Sequence, residues 1–357
     1  MIHDYVVIGS GLTGLVVANR LSQESSKVLL LEASDQIGGW LGRPHLPFVP
    51  GNDAGRSALL NLENLLNLKI MGPTLESNPL TFDSAELKPF LGFGEKTPEF
   101  YDEISYYCHS KKIELKLSPT EWIVRLVAQY KGQSATRSIV TKFQIEDGKV
   151  QSVTVNGSKK IAGHNFIFCG DIKDLERLIP QDFNSPKTRT KISKTKTWTR
   201  ATLVIDHKTE VTDNSQLHIL IGSAQEEVVT CVGQFQNSTS TWTTFVSDED
   251  AEDPEITAQA LKHIKRQIKR AYPNSFPDQL SEKIVVQSGF GGHFDVKLNA
   301  NLTWPDLENL WMGSSGFHAD RNILGALQQS WLVLASLGFS VERPTTEPGE
   351  VLAESFT

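Results

Sequence analysis

Cysteine is scarce in this chain, and what there is follows no binding pattern. Cys108, Cys169 and Cys231 are odd in number and contain no CxxC pair, which suits a reducing compartment and offers no metal-ligand spacing. Long apolar runs are missing as well, and no segment approaches the ~20 residues of a membrane span. A first strand expected from about residue 4 leaves no room for a signal peptide, so a cytoplasmic location is expected. There is no basic excess. Against 35 Lys and Arg stand 42 Asp and Glu, a net charge of −7, which argues against nucleic acid or an anionic membrane as the main partner. Repeats and low-complexity tracts are absent, and the Asn-X-Ser/Thr sequences at Asn156, Asn237 and Asn301 read as chance without a secretory route. What remains is 357 residues, 39% hydrophobic and 22% charged. That is ample for the core of one large domain or two interleaved ones.

The informative stretch is the first forty-three residues. Tyr5-Val6-Val7-Ile8 reads as a buried parallel strand, Gly9-Ser10-Gly11-Leu12-Thr13-Gly14 as a turn, and Leu15 to Leu21 as an amphipathic helix. The three glycines act mechanically. Gly9 makes the tight turn, Gly11 lets backbone approach a pyrophosphate, and Gly14 lets helix and sheet pack closely. A second strand, Val28 to Leu31, ends in Glu32, placed to accept from a ribose hydroxyl and to repel a 2′-phosphate. The context of strand, helix and acidic residue makes this a dinucleotide site.

The continuation Glu32-Ala33-Ser34-Asp35-Gln36-Ile37-Gly38-Gly39-Trp40 resembles the flavoprotein superfamily of amine oxidases, phytoene desaturases, protoporphyrinogen oxidases and renalase. The resemblance implies FAD, bound noncovalently through Gly9, Gly11, Leu12, Thr13, Gly14, Glu32, Ala33, Gly38 and Gly39. Trp40 stands where the family has Arg, and Arg43 is the candidate to replace it. The resemblance also implies a C-terminal flavin contact at Gly313, Ser314 and Leu324-Gly325-Ala326, where a helix N-terminus would face the flavin C2 carbonyl. Val140 is placed at the adenine by position, with an ordinary hairpin as the alternative reading. The helix from Ala54 to Leu68 is left open between flavin contact and plain core.

The expected fold is α/β: a Rossmann-type FAD-binding domain assembled from 1–71, 119–180 and 305–341, with an inserted α+β substrate domain from 72–118 and 181–304 and a tail, 342–357. Residues 187–200, with alternating basic side chains, are expected as a strand with one solvated face. Four strands between Thr202 and Val246 are expected to form an antiparallel sheet, followed by a helix from Asp253-Pro254. The implied activity is hydride transfer from a small organic substrate to flavin N5, with oxygen or a quinone left open as acceptor. Amine-oxidising members of the family carry an aromatic pair and a lysine near N5. This chain offers Asn322, Ile323 and Leu324 at the first place and only Arg200 near the second, which lowers the case for an amine. Phe290, Phe294, Phe317 and Asn322 are the substrate-pocket candidates, and His293 is the catalytic candidate. The alternatives are a flavin-dependent isomerase or mutase without net oxidation, and a catalytically silent FAD-binding protein.

Overall fold

A computed structural model describes residues 1–221, 230–292, 294–320 and 322–340 of the chain. Val6, Val7 and Ile8 and the run Val28–Leu31 are buried on both sides, as interior parallel strands must be. Their alternation divides them between two cores: Val7 and Leu30 face one layer, and Val6, Ile8, Leu29 and Leu31 face the other. The sheet they belong to runs Gln133–Ala135, Val28–Leu31, Ile2–Ile8, Lys159–Phe168, Lys149–Val155 and Val140–Glu146, with Leu310–Met312 also paired to Lys159–Phe168. The strand Lys159–Phe168 changes partner along its length. Its first half pairs antiparallel with Lys149–Val155, and its last three residues pair parallel with Leu310–Met312. Helix Leu12–Glu24 covers one face together with Pro119–Gln129 and Ile323–Ser336.

The helix Pro119–Gln129 begins with the capping box of Ser118 and Glu121 and buries Trp122, Ile123 and Leu126. Val127, four residues after Ile123, is exposed. The helix Asp53–Leu66 is capped by Asn52 and closed by Asn67 in the left-handed region at φ 50°.

A second sheet runs Gln279–Phe290, Trp198–His207, Thr239–Ser247, Cys231–Gln236, Leu217–Leu220, Leu80–Asp83 and Glu86–Pro89. Its pairs are antiparallel except for a single parallel bridge between His218 and Leu80. Helix Pro254–Ala271, started by Asp253 and Pro254 as expected, lays Leu261, Ile264 and Ile268 on Leu203, Ile205 and Trp242.

One expectation is overturned. Residues 186–194 form a helix, Pro186–Lys194, and the strand starts only at Trp198. The Ser185 hydroxyl accepts from Thr188 N, Pro186 occupies the first turn, and Lys191 and Lys194 lie in the last turn, where the helix dipole favours cations. Lys187, Lys191 and Lys194 stand four and three residues apart, a spacing that fits one face of a helix, and only Ile192 is buried.

Candidate functional site

Three adjacent parallel strands end at one edge of the first sheet, and each meets a glycine within two residues: Ile8 before Gly9, Phe168 before Cys169-Gly170, and Met312 before Gly313. Open α/β sheets place ligands beyond such carboxyl ends. A cleft of about 470 Å³ opens there, lined by Gly11, Leu12, Thr13, Glu32, Gly39, Trp40 and Arg43 on one side and by Gln287, Phe290, Phe294, Ser314 and Ala326 on others.

The turn has the geometry its glycines predict. Gly9 has φ +97°, and a Cβ there would lie 2.8 Å from the Cys169 carbonyl oxygen. A Cβ on Gly14 would collide with the Gly9 carbonyl oxygen, whereas a Cβ on Gly11 would meet nothing. Gly11 therefore presents bare backbone to open space at the start of a 13-residue helix that no side chain caps. Uncapped N–H groups and the dipole together favour an anion there. The paired glycine closes on this turn: Gly38 N donates to the Ser10 carbonyl at 3.1 Å, and a Cβ on Gly39 would lie 2.9 Å from Gly11 Cα.

Glu32 is held rigidly at the rim. Its Oε2 accepts from Ser10 N at 2.9 Å and from Ser10 Oγ at 2.5 Å, and its Oε1 accepts from Ser34 N at 2.8 Å. Burial pushes the carboxyl pKa up, but these hydrogen bonds outweigh it and hold the group below the usual carboxylate range. A carboxylate accepts about four hydrogen bonds, so Oε1 keeps room for one ligand hydroxyl.

Trp40 is half-buried and meets His45 and Phe290 edge-on, with centroids 5.5 and 5.7 Å away. Arg43 is exposed on the cleft rim, and its carbonyl binds His45 Nδ1 at 2.8 Å. On the C-terminal segment, Ser314 and Ala326 line the cleft, and Thr13 Oγ1 donates to the Ala326 carbonyl at 2.9 Å. Asn322 is the N-cap of its helix. Its Oδ1 accepts from Leu324 N at 2.8 Å and Gly325 N at 3.3 Å, so the N–H groups that the resemblance directs at flavin are engaged within the chain.

Not every sequence candidate reaches the cleft. Val140 is buried in the core beneath the sheet, with its carbonyl facing Arg177. Phe317 packs on that same core, Ala33 is exposed beside Glu32, and Gly313 donates to the Phe168 carbonyl at 2.8 Å behind the cleft wall. Asn322, Leu324 and Gly325 are likewise not among the lining residues. His293 lies outside the described residues.

Sequence reasoning does not single out Ser34, Gln36, Gly170, Asp171, Gln287 and Ser315, all of which line the cleft. The strand-end glycine Gly170 is the available signal for Asp171. Burial raises the Asp171 carboxyl pKa against a hydrogen bond from Lys173 N, with a further push from Asp174 and Asp248.

The second sheet contributes Arg200, which is 6% exposed. Its guanidinium carbon lies 4.3 Å from the Phe290 ring and 4.9 Å from the Trp40 ring, and its Nη2 donates to Gln287 Oε1. Burial, against the nearby Tyr107 and Tyr106 hydroxyls, brings its pKa down to about 10.

Strand, open glycine turn, uncapped helix and acidic rim all lie within the first 32 residues. Residues 7–58 match the NAD(P)-binding Rossmann-like domain. No curated protein matches the chain by sequence. Solved structures resemble this chain over nearly its whole length. An oxidoreductase from Methanosarcina mazei has a TM-score of 0.67 at 10% identity and covers 93% of this chain and 99% of its own. Cyclohexylamine oxidase from Brevibacterium oxydans IH-35A gives 0.64 at 11%, covering 95% and 99%. Wild-type putrescine oxidase bound to putrescine gives 0.61 at 12%, covering 95% and 99%. At such identities the likeness is one of fold.

Proposed function

We propose that this chain is an FAD-dependent oxidoreductase that binds its flavin noncovalently and oxidises a small organic substrate. The observation that carries this reading is the bare Gly11 backbone at an uncapped helix start, on the same cleft as Glu32 with its remaining acceptor site. The paired glycine packed against that turn, and the likeness of fold to amine oxidases along the whole chain, favour FAD over a nicotinamide nucleotide. The segments 1–71, 119–180 and 305–341 would hold the cofactor, and 72–118 and 181–304 would face the substrate.

FAD, when bound, supplies hydride acceptance at N5. The chain's own residues supply the rest. Gly11, Leu12 and Thr13 offer backbone N–H groups to the pyrophosphate, and Arg43 is the cation available on the rim to help neutralise it. Glu32, ionised and fixed by Ser10 and Ser34, orients a ribose hydroxyl. Phe290, Phe294 and Trp40 exclude water from the inner end of the cleft, where a substrate carbon must be held dry for hydride transfer.

The test is the absorption spectrum of the purified protein before and after denaturation and after anaerobic dithionite. Flavin bands that are released on denaturation and bleach reversibly are expected. Glu32→Arg should empty the site. A colourless protein that takes up no added FAD, or full flavin content in Glu32→Arg, would reject the reading.

A further inference from the structure

A desolvated guanidinium is normally paired with a carboxylate, because burying an unpaired charge is costly. Arg200 has no such partner. Among the described residues no Asp or Glu forms an ion pair with it, its Nε is buried without any hydrogen bond, and only Nη2 is engaged, by neutral Gln287. Trp40, Gln287 and Phe290, each of which meets the guanidinium, all line the cleft, while Arg200 itself is not among the lining residues. The cation therefore stands directly behind the inner wall of the proposed flavin cleft.

We propose that Arg200 is a carboxylate subsite at the inner end of the cleft, and that the substrate is an organic acid carrying one carboxylate. This rests on the oxidoreductase reading above and names the substrate class of that site. The planar fork of Arg matches a carboxylate bidentately, and Nε with an Nη makes one side of that fork. The Trp40 and Phe290 rings suit an apolar body attached to the acid group. A diphosphate on the substrate itself fits poorly: Arg43, the one cation among the described lining residues, is already assigned to the cofactor's pyrophosphate, and Asp171 shares the cleft. The neighbouring groups agree. His45 Nδ1 is bonded to the Arg43 carbonyl and burial lowers its pKa to about 4, so it stays neutral beside Arg200. The Tyr107 hydroxyl is committed to the Leu46 carbonyl at 2.9 Å. The buried Glu103 carboxylate, set against Gly291 and near Tyr106, forms no ion pair with Arg200.

The experiment titrates benzoate, phenylacetate and propionate into the flavin-loaded protein, with benzamide as the neutral isostere of benzoate. Flavin absorption and tryptophan fluorescence are both followed. At least one acid should bind saturably, benzamide about tenfold or more weakly than benzoate, and Arg200→Met should weaken the acid by about ten- to a hundredfold, the loss expected for charge-assisted hydrogen bonds. Arg200→Lys, which keeps charge but not the fork, should fall between. Equal binding of benzoate and benzamide to the wild type, no response to any of the three acids, or undiminished acid binding in Arg200→Met would overturn the subsite. Fluorescence works without flavin, so a protein that holds no FAD but discriminates benzoate from benzamide rejects the cofactor reading and keeps the carboxylate site.

Discussion

On one side of the cleft the turn, the helix start and Glu32 come from the single stretch 9–32, while on another Trp40 and Phe290, with Arg200 behind them, come from three distant segments, two of them paired strands of the second sheet. At the first end the charged rim group is fixed from within its own stretch, Glu32 taking three donors from Ser10 and Ser34. The second keeps a buried cation with an orphaned Nε. Local sequence can build a complete recognition element because short loops close at little entropic cost. An element assembled from remote strands can leave a polar group waiting, and a ligand is the natural group to complete it.

The comparison breaks most visibly at Gly14. Gly14→Val would drive a side chain into the Gly9 carbonyl. It should destabilise the protein by about 1–3 kcal/mol and abolish flavin retention, as urea melts and flavin content would show. Survival of both would mean that the turn tolerates a shift the close packing forbids.

Next comes a crossed pair. Glu32→Arg should cut FAD affinity by about a hundredfold, with Arg200→Met losing far less, and the order should invert for acid ligands. Parallel losses in both titrations would erase the distinction between the two ends.

The two ends should also titrate in different windows. His45 is depressed from 6.5 to about 4, as is His218 inside the second sheet, both chiefly by burial. The unfolded chain then takes up protons first, so stability should decline as pH falls from 6.5 towards 4. Glu32 is depressed below 4.5 by its hydrogen bonds despite burial, so its contribution persists above that value and is lost as pH falls further. Unfolding free energies measured in urea across this range should show a shallower slope for His45→Asn in the upper window alone.

The smallest effect is at the C-terminal helix. Asn322→Ala removes the cap on Leu324 N and Gly325 N and should cost about 0.5–2 kcal/mol. A thermal midpoint equal to the wild type would show that the cap is dispensable.

Much of the first sheet is readable because its elements declare themselves locally. Apolar runs of four residues, a glycine at a strand end, and caps such as Ser118 and Asp253 depend only on near neighbours. The helix Pro186–Lys194 escapes such a reading because a solvated basic segment has almost no apolar period. Position in the chain points Asn322 towards the pocket, yet its side chain turns back to its own helix.

The sequence by itself determined the Rossmann-like turn, the rim carboxylate at Glu32 and the antiparallel character of the second sheet, since each follows from backbone conformation and periodicity within a short window. Only the tertiary structure decided that Arg200 lies against Trp40 and Phe290, ion-paired to no carboxylate among the described residues. Whether a charge is paired depends on which strands meet and what they exclude, and no local pattern encodes that.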